Sequence, residues 1–327
     1  MTKVSMAMKP LVILIILAAW LTGCTQPILQ ADLPEISSSS VPNKDPAVVV
    51  LTPHYRIYAC SNKATAEEMG VLLESAYRVY SNVLGHGGEH DKFDVYAYND
   101  RGQYQQAMHA LNLPIQSASG IYTPGEKPGI HLPLVTTNRT HPFFTLVHEG
   151  LNQYLHHIKG LTVPVTTIKL PAIPVWLNEG LALYVEAAIV STHKLAPGRI
   201  HPTRLKHLQR LLSKEPAPSL ATILGKSYDA PFTNDDYSIS WGVVHYLQTN
   251  HLWHQFWSKW LDHIEKEKTV FFKQHGRKNR LTMQQLWAQR LGQISLQMAE
   301  NTFVGPENWS IFQENWQKSM LQLTSGQ

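Results

Sequence analysis

Two short stretches constrain this chain more than any other part of it: Val147-His148-Glu149-Gly150-Leu151-Asn152-Gln153-Tyr154 and Pro174-Val175-Trp176-Leu177-Asn178-Glu179-Gly180-Leu181-Ala182. Pro142 can occupy the first turn of a helix running to about residue 158 and closed by Gly160. After a loop with Pro164, Pro171 and Pro174, a second helix is expected over Val175–Ala188. On the first helix, residues i and i+4 face the same way about 6 Å apart, so His148 and Asn152 share one face. The fold must therefore bring the polar faces of two helices together, with 26 residues (153–178) between Asn152 and Glu179.

Those residue types carry a chemistry. In His-Glu-x-x-His, two histidines one turn apart bind a metal ion and the glutamate acts on water. Here the second histidine is Asn152, a neutral amide, whereas zinc usually takes His, Cys and carboxylate ligands. A catalytic zinc takes three protein ligands plus water, and Glu179 can supply one from the second helix. His156 lies two turns beyond His148, about 12 Å along the axis, and His157 faces the opposite side, so neither replaces the missing ligand. Glu186, seven residues after Glu179, lies on nearly the same face and reads as an outer partner or a solvated residue.

The N-terminus predicts where the chain works. Lys3 and Lys9 precede an apolar run over residues 11–21, too short to cross a bilayer but right for a signal-peptide core. It ends in Leu21-Thr22-Gly23-Cys24, which resembles the bacterial lipobox. The resemblance implies removal of residues 1–23, a lipid on Cys24, and a membrane-anchored lipoprotein. Thr25, where an Asp would signal inner-membrane retention, points to the outer membrane, facing the periplasm. Residues 24–46, with the run Ser37–Ser40, read as the lipidated cysteine and a flexible tether. With Cys24 acylated, Cys60 has no partner cysteine, so stability must come from the core. Losing Lys3 and Lys9 lowers the formal charge from +4 to +2, too little to argue for nucleic acid.

The body opens as an α/β unit. Tyr55–Ala59 and Phe93–Tyr98 alternate as strands. Between them Thr65-x-x-Glu68 reads as a capping box, followed by the stripe Met69, Leu72, Leu73, Ala76, Tyr80, Val83 and Leu84, with Gly85 as a stop. Gly120-Ile121-Tyr122 and Gly129-Ile130-His131-Leu132 flank a turn-rich hairpin signal. Beyond the second site helix the chain is mostly helical, with Trp253, Phe256, Trp257, Trp260 and Leu261 as a core stripe. The expected class is α+β: a small mixed sheet, then the site helices, then a helical C-terminal part. Expected boundaries are 47–265 for the main domain and 266–327 for a helical extension packed on it.

His-Glu-Gly-x-x-Gln followed by Pro-x-Trp-x-x-Glu-Gly-Leu-Ala is similar to the peptidase MA-like gluzincins of bacterial envelopes. Tyr237-Ser238-Ile239-Ser240-Trp241 and Phe312-Gln313-Glu314-Asn315-Trp316 stand in that family's order, so the resemblance spans roughly residues 50–320. It implies a zincin-like fold with a zinc site at His148 and Glu179; with Asn152 in place of the family's second histidine, the readings are weak zinc held by His148, Glu179 and Asn152 or water, another metal, or a retired site. It also implies Glu149 as general base, Tyr237 as an oxyanion donor, and a peptide held along a sheet edge at Ile130, His131 and Leu132. The implied function is a lipid-anchored metallopeptidase; the alternative is a pseudopeptidase that binds peptides or envelope partners through the same cleft without cutting them.

Other chemistries lack their residues. There is no Gly-x-Ser-x-Gly elbow and no Cys-x-x-Cys, and Gly225-Lys226-Ser227 has Leu220 where a phosphate loop needs glycine. Lys266, Lys268, Lys273, Arg277, Lys278 and Arg280 read as a solvated inter-helix turn, with anionic lipid contact as the alternative.

Overall fold

A computed structural model describes residues 29–30, 37–40, 48–60, 63–87, 91–111, 119–123, 128–134, 142–158, 171–275, 280–303 and 309–324. The expected signal peptide, Cys24, Gly160, Pro164, Arg277 and Lys278 lie outside them. Among the described residues no helix is long and apolar enough to cross a membrane.

The class is α+β. A six-stranded mixed sheet is built from β2 (Ser37–Ser40), β3 (Val48–Leu51), β4 (Tyr55–Ala59), β5 (Phe93–Tyr98), β6 (Ile121–Thr123) and β7 (Gly129–Pro133), in the order β2-β3-β4-β5-β7-β6. β4, β5 and β7 run parallel, while β2, β3 and β6 are antiparallel to their neighbours. β1 (Leu29–Gln30) joins the small hairpin β8 (Ile189–Ser191) and β9 (Lys194–Leu195). Two pieces of the expected tether are thus paired strands.

Helix α1 (Lys63–Leu84) crosses from β4 to β5 and buries the whole expected stripe from Met69 to Leu84. It starts two residues before Thr65, which therefore lies in the first turn and is no cap. Gly85 stops it at φ +88°, the left-handed conformation that costs glycine least. Helix α2 (Arg101–Ala110) packs on β5 and β7. Helices α3 (Pro142–His157) and α4 (Val175–Ala188) have the expected bounds, and α3 packs between α1 and α4.

Helices α5 (Pro202–Leu212), α6 (Leu220–Leu224), α7 (Asn234–Thr249), α8 (Trp253–His275), α9 (Arg280–Phe303) and α10 (Trp309–Gln322) follow. α7 packs against α4, and Thr233 with Asp236 closes its N-terminus in a capping box. The tryptophan stripe of α8 is core, as its spacing predicts. Its indole N–H groups also satisfy carbonyls that helix geometry leaves over. Trp253 and Trp257 donate to Val83 and Leu84 at the end of α1 (2.6 and 2.8 Å). Trp260 donates to Ala172 (3.0 Å), and Trp287 of α9 to Pro171, in the segment leading into α4. Lys266, Lys268 and Lys273 sit on α8 rather than on a turn, because the apolar stripe continues through Ile264 and Phe271. Lys268 is 1% exposed, and burial pulls its pKa down to about 8.

Beside the β3–β4 turn, Glu74 of α1 is buried and accepts from Thr52 Oγ1 (2.5 Å), the His54 amide (2.8 Å) and His54 Nδ1 (2.7 Å). Burial alone would raise this carboxyl; the hydrogen bonds from His54 and Thr52 outweigh it and hold its pKa below 4.5. With the folded value below the unfolded one, this stabilisation is complete above about pH 4.5 and is lost as pH falls through the lowered folded value. Glu74→Gln should lower stability at neutral pH by about 1–3 kcal/mol and flatten that acid limb. Urea midpoints measured from pH 3 to 7 that shift in parallel for both proteins would contradict this.

Candidate active site

The site grows from the two helices the sequence marks. On α3 the apolar residues Leu146, Val147, Leu151, Tyr154 and Leu155 are buried, and His148, Glu149, Asn152 and His156 form the half-buried stripe. α4 is more extreme. It is apolar on nearly every side, and the residues that keep exposure are Asn178, Glu179, Glu186 and Ala187. Two amphipathic surfaces with such narrow polar stripes pack by their apolar parts and leave the stripes facing one cleft.

His148 stands between two carboxylates. Its Nδ1 lies 2.6 Å from Glu186 Oε1, and its Nε2 lies 3.4 Å from Glu179 Oε2. Burial would lower the imidazole pKa, but hydrogen bonding and charge from Glu179 and Glu186 raise it well above the ordinary value. Glu186 is thus the partner that fixes the ring, and Nε2 is the nitrogen turned to Glu179. Carboxylate–histidine pairs orient metal-binding imidazoles in this way.

Glu149 Oε2 accepts from the Tyr122 amide (2.9 Å) and from Asn152 Nδ2 (3.1 Å). Burial pushes its carboxyl pKa up, against the opposing pull of His148, Asn152 and Tyr122. Asn178 Nδ2 donates to Asn152 Oδ1 (3.0 Å). The Asn152 amide is therefore oriented with nitrogen toward the carboxylate acceptor, and its oxygen is already bonded to Asn178. Of the expected ligand set, the structure brings His148 and Glu179 together, while Asn152 serves Glu149.

Tyr122 belongs to β6, the terminal strand, and its amide points away from β7 toward α3. Its hydroxyl lies 2.7 Å from His156 Nδ1, fastening the strand to α3 at two points. The expected edge residues Ile130, His131 and Leu132 lie on β7, an interior strand between β5 and β6. Ile130 and Leu132 are 0% exposed core residues. His131 is 5% exposed, stacked on Tyr96 with its Nδ1 3.0 Å from the Tyr98 hydroxyl, and burial lowers its pKa to about 4. On this side the sheet ends at β6, which the chain forms before it turns inward to β7, and the outward amide of Tyr122 is already taken by Glu149.

Tyr237, in the first turns of α7, borders the cleft. Burial raises its phenol pKa, and the charge of Glu179 raises it further. Arg204 of α5 lies over its ring, 5.3 Å from the centroid. Arg204, Asn178 and the Tyr122 amide carry no sequence signal of their own. The two surface recesses lined by α8 and α9 residues, one with Glu267, Phe271 and Arg290, the other with Lys259, His263 and Met298, contain none of these groups.

Whether a divalent ion fits can be tested on this geometry. Two ligands at about 2.1 Å on one tetrahedral ion stand about 3.4 Å apart, which is the separation of His148 Nε2 and Glu179 Oε2. The carboxylates of Glu149, Glu179 and Glu186 also outnumber the cations that reach them, His148 and Arg204. Among the described residues no group of three or more His, Cys, Asp or Glu is spaced to hold an ion. The His148–Glu179 separation is that of an ion pair and also the one a cation held at two protein points would need.

A family model described as "Protein of unknown function (DUF1570)" matches residues 142–258, the span from the start of α3 into α8. No curated protein matches the chain.

Proposed function

We propose that this chain is a gluzincin-like, metal-dependent peptide hydrolase whose ion is held by His148 and Glu179. The observation that carries the reading is the His148 Nε2–Glu179 Oε2 pair at 3.4 Å, with Nδ1 fixed by Glu186. A zinc ion bound there would polarise the scissile carbonyl and make water a nucleophile near neutral pH. The chain's own groups do the rest. Glu186 holds the imidazole so that Nε2 stays turned to Glu179. Tyr122 and Asn152 fix Glu149 Oε2, leaving Oε1 to take a proton from the attacking water and deliver it to the leaving amine. Tyr237 donates a hydrogen bond from its hydroxyl to the charge developing on the carbonyl oxygen.

A second reading is favoured by one observation: Asn152 hydrogen-bonds the base and leaves the ion two protein ligands instead of three. A cleft that captures peptides without cutting them would keep the same polar row.

Asn152→His tests the metal half of the proposal. An imidazole at 152 can turn one nitrogen to Asn178 and the other to the ion, completing a three-ligand set. Since even an outer partner is worth about 10–100-fold in metal affinity, zinc should bind at least that much more tightly. Calorimetry on a well-folded variant that shows no gain would mean positions 148, 152 and 179 do not converge on one ion.

A further inference from the structure

Arg204 sits beside the cleft with most of its hydrogen-bonding capacity unspent. Its Nη1 donates to Asn234 Oδ1 (2.6 Å), at the start of α7. Its Nε is buried and has no hydrogen-bond partner among the described residues. The charges of Glu186 and Glu179 act on it, in that order, yet both carboxylates pair with His148. An arginine within reach of two carboxylates that forms an ion pair with neither is not there as a simple counter-ion. Its guanidinium instead lies over the Tyr237 ring, 5.3 Å from the centroid, which keeps it beside one of the proposed catalytic groups.

A guanidinium offers five N–H donors in a rigid fork that matches a carboxylate in two-point geometry. Buried donors without partners are rare in folded proteins, and a ligand is one of the few things that accounts for them. Among the described residues of the cleft, Arg204 is a cation outside any ion pair, while Glu179 and Glu186 beside His148 disfavour an anion there. A substrate carboxylate is therefore steered to one end of the cleft.

We infer that Arg204 is a specificity-determining residue that binds a carboxylate on the peptide, either the chain terminus or an Asp or Glu side chain. This rests on the reading of the cleft as a peptide site. It assigns the cleft a substrate class, acidic or free-acid peptides, and an orientation in which the anionic end lies against α5 and Tyr237.

Three hexapeptide libraries separate the outcomes: one without Asp or Glu and with free C-termini, the same one amidated, and an amidated one with a single Asp or Glu per peptide. Bound to the purified zinc-loaded protein, one carboxylate-bearing library should be retained at least about 10-fold more tightly than the neutral amidated one, and whichever it is names the source. Arg204→Gln should bring all three within about twofold. Arg204→Lys keeps the charge but loses the fork, and should lose most of the preference. Equal binding of the three libraries to the wild type overturns the inference and leaves the peptide-site reading standing. Unchanged preference in a folded Arg204→Gln protein also overturns it. Binding of none of them removes the peptide-site reading and this inference with it, while a zinc titration of the same protein reports separately on His148 and Glu179.

Discussion

Replacing Glu149 with glutamine should lower peptide hydrolysis by about 10²–10⁴-fold, the range that a positioned acid–base group contributes. The change keeps the shape of the side chain, and its carbonyl oxygen can still accept from the Tyr122 amide and from Asn152. Only the ability to take a proton is lost. Peptide capture and zinc affinity should therefore persist, because neither His148 nor Glu179 is touched. The assay is mass-spectrometric digestion of a mixed peptide library by zinc-loaded wild type and variant at equal concentration. Turnover that is detectable and unaltered in the variant would end the enzyme reading. Turnover absent from both, with peptide still bound, would favour the binding cleft to which the Asn152–Glu149 hydrogen bond points.

Gly180→Ala should destabilise the fold by about 1–3 kcal/mol and weaken zinc binding at the same time. Alanine improves helix propensity by about 1 kcal/mol at an interior glycine, so an open site would gain stability. Gly180 is not open. A Cβ there would lie 2.5 Å from the Ser240 carbonyl oxygen, 2.9 Å from its carbon and 2.9 Å from Val244 Cγ2. Two of the three are backbone atoms of α7, which cannot swing aside as a side-chain tip does. α4 and α7 would have to separate, and Glu179 is the residue immediately before the point of contact. The overpacking term therefore wins over propensity. A denaturant midpoint equal to or above that of the wild type would show that the two helices approach less closely than described.

What could be read from the sequence followed from local periodicity. The bounds of α3 and α4 come from Pro142, Pro174 and an apolar pattern contained in each helix, and the stripe of α1 ends at Gly85 for the same reason. The histidine and two glutamates of the site were visible because fixed spacing on a helix fixes direction. The edge strand was not visible. Gly120-Ile121-Tyr122 and the strand after it are equally good strands, and which lies outside depends on β5 choosing β7 as its neighbour, a pairing made across more than thirty residues of chain. Asn152 shows a different limit. Its identity predicts a weakened ligand, but that its nitrogen serves Glu149 while its oxygen meets Asn178 depends on the approach of another helix. Arg204 had no motif around it, since the group it faces is assembled from α3, α4 and α7. The lysines of α8 misled for a simpler reason: charge density reads as a solvated turn until Lys268 is seen to be buried in the helix's apolar stripe.

The indole-to-carbonyl bonds bear on where a boundary can be drawn in this protein. Trp260 and Trp287 grip the carbonyls of Ala172 and Pro171, and Trp176, two residues into α4, donates to Ser295 Oγ of α9 (2.7 Å). The helix that presents Glu179 is thus moored at its entrance by side chains from α8 and α9, two of them more than a hundred residues downstream. The segment that carries the recognisable residues ends at 258, before Trp260, Trp287 and Ser295. The vocabulary of the proposed site and the syntax that makes it readable are written in different parts of the chain. A graft of residues 142–258 onto another scaffold would carry the words without the grammar, and the C-terminal helices have to be counted as part of the site's inheritance.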